Sequence, residues 1–229
     1  MVRDTRKVCH EVRDRYDACV SASIVADPFE LAPSRPIVMQ YMTGRALYEQ
    51  VIQHGIAKAQ MSVWIATANL KELMIEAPPG TRARAKGEYI SVLELFGSLA
   101  DLGVELRVLH AGIPSRAFAK ELMRRRDLVR PVGKRAAPLA MRRCPRVHFK
   151  AVVIDGSRVY LGSANWTGAG LGAKGDGRRN FEVGFLSDDE LLLDDVQGLF
   201  DRVWSGRACK GCRLRDVCPS PLDEAPPVV

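Results

Sequence analysis

The run Val147-His148-Phe149-Lys150-Ala151-Val152-Val153-Ile154-Asp155, continued by Gly156-Ser157-Arg158-Val159-Tyr160-Leu161-Gly162-Ser163-Ala164-Asn165, decides the fold. Val147, Phe149, Ala151 and Val153 alternate with His148, Lys150 and Val152, the period of two that marks a strand. Alternation puts His148 and Lys150 on one face, about 7 Å apart along the strand. Asp155-Gly156-Ser157 reads as a turn, and Arg158 to Leu161 as the returning strand of a hairpin. Its end carries Gly162 to Asn165 back toward the His148 face. Imidazole, ammonium, hydroxyl and carboxamide then converge on one spot. Phosphoryl transfer needs that combination: a nucleophile, and donors for the non-bridging oxygens.

Outward from the hairpin, the pattern is one of alternating layers. Thr43 is the expected N-cap of an amphipathic helix through Leu47, Val51, Ile52 and Ile56. Met61 to Thr67 is apolar and β-branched, a buried strand. Gly80 to Gly87 is a basic loop, and Tyr89 to Leu102 a helix stopped by Gly103. Val104 to His110 is the next strand and Ser115 to Arg126 the next helix. This order implies an α/β fold around a mixed sheet. Downstream, Gly168 to Gly177 is too glycine-rich for regular structure, and reads as either a mobile rim or a loose connection. It precedes no helix, so it is not a dinucleotide fingerprint. Asn180 to Leu186 is a strand. Ser187 and Glu190 form a capping box for a helix whose face runs through Leu191, Leu192, Val196, Leu199, Phe200 and Val203 to Gly206.

His148, Lys150 and Asp155, with Gly162, Ser163 and Asn165, resemble the HKD motif of the phospholipase D superfamily, and the likeness extends from about Met42 to Gly206. The resemblance implies a phospholipase D-like mixed β-sheet flanked by helices. It further implies that His148 attacks phosphorus to form a phosphohistidine, and that Lys150 and Asn165 bind phosphate oxygens. Asp155 would be mainly structural, Ser163 would support the site by hydrogen bonding, and no catalytic metal would be needed. Glu182 matches the downstream Glu that orients the nucleophile in this family. Members with two HKD motifs use the second His as general acid. Of the four histidines here (His10, His54, His110 and His148) only His148 is followed by Lys two places on. Single-motif members pair to build one site from two chains, so the resemblance implies a two-fold homodimer with both His148 residues at the interface.

The chain has 229 residues, 47% hydrophobic, and carries a net charge of +7. No run approaches the length of a transmembrane helix. Met-Val-Arg-Asp-Thr-Arg-Lys leads into no apolar segment, so a cytoplasmic protein is expected. Between Lys120 and Arg146 stand ten basic residues and two acids. Arg124, Arg125, Arg126, Lys134, Arg135, Arg142 and Arg143 within that run are the candidate nucleic-acid contacts. The leading reading is a nuclease acting on DNA or RNA, with a partner protein as a further expected associate. The alternatives are a phospholipase or phosphatidyl transferase, for which no amphipathic membrane helix stands out, and a non-catalytic nucleic-acid-binding scaffold.

Three of six cysteines crowd the end as Cys209-Lys-Gly-Cys212-Arg-Leu-Arg-Asp-Val-Cys218. C-x-x-C spacing lets two thiolates meet one metal, and nearby Arg and Lys favour thiolates. The pattern resembles iron–sulfur loops of some DNA glycosylases. That pattern wants a further Cys where Arg202 stands, so this match fails. It also resembles the C-terminal triplet of iron-staple nucleases, whose fourth Cys lies far upstream. Cys9 or Cys19 would then complete a structural 4Fe–4S cluster, with zinc as the alternative. The expected organisation is an N-terminal extension (1–40), a catalytic domain (41–206) and a Cys-rich tail (207–229) ending in disorder after Cys218.

Overall fold

A computed structural model describes residues 34–131 and 136–224. Residues 1–33 of the N-terminal extension lie outside the described residues, with Cys9 and Cys19 among them, as do Lys134 and Arg135. Residues Ile37–Val229 form one compact unit. At its centre is a seven-stranded mixed sheet of β1 (Gln40–Thr43), β2 (Ser62–Thr67), β5 (Glu105–His110), β6 (Leu139–Arg143), β7 (Ala151–Ile154), β8 (Arg158–Gly162) and β9 (Val183–Ser187). The order is β1-β9-β8-β7-β2-β5-β6. β2, β5 and β6 run parallel, and β7, β8, β9 and β1 extend the sheet antiparallel. A separate pair, β3 (Met74–Glu76) with β4 (Tyr89–Ser91), lies outside the sheet.

One face of the sheet buries Val63, Ile65, Leu106, Val108, Val152, Ile154 and Tyr160 under the helical segments that begin with α1 (Arg45–Leu47), together with α3 (Val92–Asp101) and α4 (Arg116–Arg124). The other is covered over β7 and β8 by α5 (Glu190–Trp204). Phe200 stacks there between Trp64 and Trp204, with ring centroids 5.2 and 5.5 Å away. Each such large side chain removed from water contributes about 1.5–3 kcal/mol. A cross-strand row on the α5 face runs Ala151, Leu161, Phe185, Tyr41. Ala151 is buried, and Phe185 and Tyr41 at the far end are exposed with Met39 and Phe181.

Several boundaries differ from the sequence reading. Thr43 ends a strand and Gly44 starts the helix in its place, at φ 55°. Tyr89–Ser91 is strand rather than helix, and Ser91 caps α3 by accepting from Leu93 N. The basic loop holds a short helix, α2 (Arg82–Ala85), capped by Thr81. Asp189, not Ser187, caps α5. Ser187 Oγ instead donates to Val38 O (2.7 Å) and so ties β9 to the chain entering β1. β6 lies within the Lys120–Arg146 basic run, where no strand was expected. The glycine-rich segment is packed, with Leu171 buried and Gly172 so close to Gly44 O that a Cβ would collide with it. The chain after Cys218 is not wholly loose: Leu222 is buried against the α5-side core. Among the described residues no helix is long and apolar enough to cross a membrane.

Asp155 sets the register at the centre. It occupies the left-handed region at φ 55°. Its carboxylate accepts from the backbone N–H groups of Gln60 (3.0 Å), Met61 (2.7 Å) and Ser62 (2.9 Å), while its own N–H donates to Ser62 O (2.8 Å). Asp155→Ala should cost about 2–4 kcal/mol in denaturant unfolding, because three donors lose a charged acceptor. Asp155→Asn should recover part of that loss, since Asn keeps an acceptor and tolerates positive φ.

His110, at the end of β5, is buried with Nδ1 2.8 Å from Gly112 O. Burial, with the neighbouring Arg143 charge, holds its imidazole below the usual value, against the opposing Gly112 bond. The folded state therefore binds this proton less readily than the unfolded chain. The associated stability is present above about pH 6.5 and is lost as pH falls through the folded value. The stability gap between wild type and His110→Gln should narrow on going from neutral pH to about pH 5, as read from unfolding midpoints across that range.

Candidate active site

The candidate residues gather where the C-terminal end of β2 meets the start of β7 and the end of β8. His148 and Lys150 precede β7 in extended chain, His148 exposed and Lys150 half-buried. Lys150 Nζ stands 3.3 Å from His148 Nδ1 and 3.5 Å from Nε2, and donates to His148 O at 2.7 Å. The alternation read from the sequence is retained: Val147 is buried and Phe149 packs on the α5-side core. Exposure of the ring leaves room for a phosphate to approach.

The small polar loop is fastened to both neighbouring strands. Gly162 N donates to Lys150 O (3.2 Å), and Ser163 N to Val183 O (3.0 Å). A Cβ on Gly162 would run into the Tyr160 hydroxyl and Val183 O, which is why the loop begins with glycine. Asn165 Oδ1 accepts from Asn69 N (3.0 Å) and faces Thr67 Oγ1 (3.5 Å). Thr67 Oγ1 in turn donates to Asn69 O (3.0 Å) and accepts from Trp166 N (2.9 Å). With its oxygen held by backbone, Asn165 retains the amide N–H2 as a donor for a ligand. Thr67 and Asn69 went unnoticed in the sequence. The available signal was a Thr closing an otherwise apolar strand.

Among the described residues no hydrogen bond joins Glu182 to His148. Its carboxylate accepts from Ser163 Oγ and, at 3.1 Å, from Asn180 Nδ2. Val183 N also donates to Ser163 Oγ (3.1 Å). Among the described residues, the His148 ring nitrogens face Lys150 Nζ alone. Glu182 is part of a Ser163–Glu182–Asn180 chain that shapes the loop. Asp155 lies at the opposite end of β7, on the β2 backbone, away from the reacting groups.

The basic candidates divide by exposure. Arg124 and Arg126 are exposed, the former paired with Glu121 (3.0 Å). Arg125 is held by Glu94 (2.6 Å) and Asp127 (2.9 Å). Arg143 is half-buried and donates to Ala111 O (2.9 Å). Arg142 must be withdrawn as a nucleic-acid contact: it is buried, and its guanidinium donates to Trp204 O and Leu222 O. A period-two strand turned this Arg inward while its neighbour faces out.

The sequence profile of a family described as cardiolipin synthase, PLD-like domain, matches residues 52–204. No curated protein matches the chain. Among solved structures it is similar to NucT from Helicobacter pylori, at 15% identity and a TM-score of 0.48, over 73% of this chain and 95% of that one. Nuc from Salmonella typhimurium, a phospholipase D family member, is 13% identical with a TM-score of 0.44, over 74% and 95% of the two chains. Phosphatidylserine synthase from Haemophilus influenzae Rd KW20 is 13% identical with a TM-score of 0.40, over 76% and 40%. With a family match spanning most of its length and both the sheet and the motif loop, this chain belongs to the PLD-like domain family, within the phosphodiesterases of the phospholipase D superfamily.

Proposed function

We propose that the protein is a nuclease that cleaves DNA or RNA by way of a phosphohistidine on His148, in a site completed by a second copy of the chain. The observation that carries this reading is the exposed His148 ring in contact with Lys150 Nζ, beside a loop whose Asn165 is held by its oxygen alone. His148 attacks phosphorus and the bond to the leaving oxygen breaks. Lys150 and the Asn165 amide carry the charge that builds on the non-bridging oxygens. A second imidazole must protonate the leaving oxygen and then deprotonate the water that hydrolyses the phosphohistidine. His110 is buried and so is a poor candidate for that task. The second copy's His148 is the group of matching chemistry.

The exposed apolar residues beside the site suit that pairing. Phe181 is fully exposed next to Glu182, and the Tyr41 and Phe185 rings lie 5.6 Å apart on the outer strands. Exposed aromatic area of this kind next to a half-complete site favours a partner surface. The net charge of +7 and the exposed Arg124 and Arg126 favour a polyanionic substrate over a neutral one.

Labelled single- and double-stranded DNA and RNA should be cleaved in EDTA by the wild type, and about 10⁴-fold more slowly or less by His148→Ala. Mixing equal amounts of wild type and His148→Ala, with subunit exchange, should leave about one quarter of the specific activity per total protein if both histidines serve one site, against about one half if each chain works alone. Turnover of phosphatidyl substrates without any nucleic-acid cleavage would replace this reading with a lipid one.

A further inference from the structure

Four free thiols surround the junction between the C-terminal loop and the strand that leads to His148. Cys144 directly follows β6, and its N–H donates to His110 O (2.9 Å). Beyond α5 the chain turns at Gly206, φ 78°. It then winds through successive turns in which Cys209 N donates to Gly206 O (2.9 Å), Cys212 N to Cys209 O (3.1 Å) and Cys218 N to Arg215 O (3.3 Å). Arg142, two residues before Cys144, brackets this loop by donating to Trp204 O before it and Leu222 O after it. The returning chain passes so close to Gly206 that a Cβ there would strike the backbone of Leu222 and Asp223. Cys144 and Cys209 pack against the same apolar cluster, and all four thiols are half-buried.

The surroundings of these thiols suit anionic sulfur. The Leu214 N–H and the Arg146 side chain hydrogen-bond Cys212. Cys144 accepts from Arg146 N and lies near Cys209 and Cys218. Arg146 thus joins two of the four thiols, its backbone N–H on Cys144 and its side chain on Cys212. Arg142 and Arg215 lie near Cys209, as does the Asp223 carboxylate that pairs with Arg215. Arg142 and Arg146 bring positive charge to the thiols, while Arg215 is taken up by Asp223 and Glu224.

We propose that Cys144, Cys209, Cys212 and Cys218 form a four-thiolate metal site, for zinc or an iron–sulfur cluster, that fastens the C-terminal loop to the chain segment carrying His148. Among the described residues no three potential ligands already stand in ion-holding geometry, so binding draws the thiols inward. The fourth ligand is then Cys144, and neither Cys9 nor Cys19 is needed. The site also has a structural consequence. Val147 N donates to Cys144 O (3.0 Å) and Val147 is buried in the same cluster, so the turn between metal and His148 is short and packed. The inference does not depend on the reaction proposed above, because its readout is metal content.

The full chain, purified without oxygen and reconstituted separately with zinc and with iron and sulfide, should retain about one zinc, or about four irons with matching sulfide, per chain. Iron and sulfide content separate the two. Cys144→Ser should lower retained metal at least tenfold after a chelator challenge, and Cys9→Ser with Cys19→Ser should leave it unchanged. Alkylation of the loaded wild type, read by mass spectrometry, tests the same point without a variant. Cys144, Cys209, Cys212 and Cys218 should be protected together until a chelator is added, and the reactivity of Cys9 and Cys19 should not change with the chelator. No retained metal under either reconstitution, full metal in Cys144→Ser, or protection of Cys9 or Cys19 in place of Cys144 would overturn the assignment.

Discussion

The Asp155 carboxylate on the backbone N–H groups of Gln60, Met61 and Ser62 is the constraint on which the rest depends. It closes one end of the β2–β7 pair, and the register follows from it: Ser62 lies opposite Asp155, Val63 opposite Ile154 and Ala66 opposite Ala151. The other end of β7 then emerges beside Thr67. A slip of one residue would turn every side chain of β7 to the wrong face. Val152 and Val153 would exchange cores, and His148 and Lys150 would lose their place at the end of β2. A charged acceptor at one end of the strand thereby positions the chemistry at the other.

The site is built from backbone as much as from side chains. Lys150 Nζ rests on the carbonyl of His148, Asn165 Oδ1 on the amide of Asn69, and the Ser163 amide on Val183 O. Main-chain partners do not titrate, so the orientation of these groups persists across a wide pH range. Side chain meets side chain where Lys150 Nζ faces the His148 ring, where Thr67 Oγ1 faces Asn165 Oδ1, and at the outer rim, where Glu182 joins Ser163 and Asn180. Next to this rim the β1–β9 edge leaves Tyr41 and Phe185 exposed, while α5 packs toward β7, β8 and β2.

Legibility in the sequence followed the strength of local periodicity. β2, β5, β7, β8 and α4 could be read to within a few residues because their apolar positions recur at strand or helix spacing. β6 could not. Arg142 and Arg143 place two charges in a five-residue strand, and charge usually signals solvent. Only the carbonyls of Trp204 and Leu222, both remote in sequence, make an inward Arg142 tolerable. The cap of α5 was misplaced for a related reason. Ser187 and Asp189 both have the chemistry of an N-cap, and the contact of Ser187 with Val38 leaves the role to Asp189.

The sequence by itself determined the mixed α/β architecture, the hairpin, and the grouping of His148, Lys150, Ser163 and Asn165, because those residues lie within one short run and local sterics dictate their faces. It also isolated His148 as the one histidine in such a context. Tertiary structure alone decided that Glu182 joins Ser163 and Asn180, that Thr67 and Asn69 orient Asn165, and that Cys144 approaches the C-terminal cysteines. Each of these contacts joins residues from different strands or loops. Their proximity depends on sheet order and on which buried polar groups find partners, and neither is encoded in the spacing of a single segment.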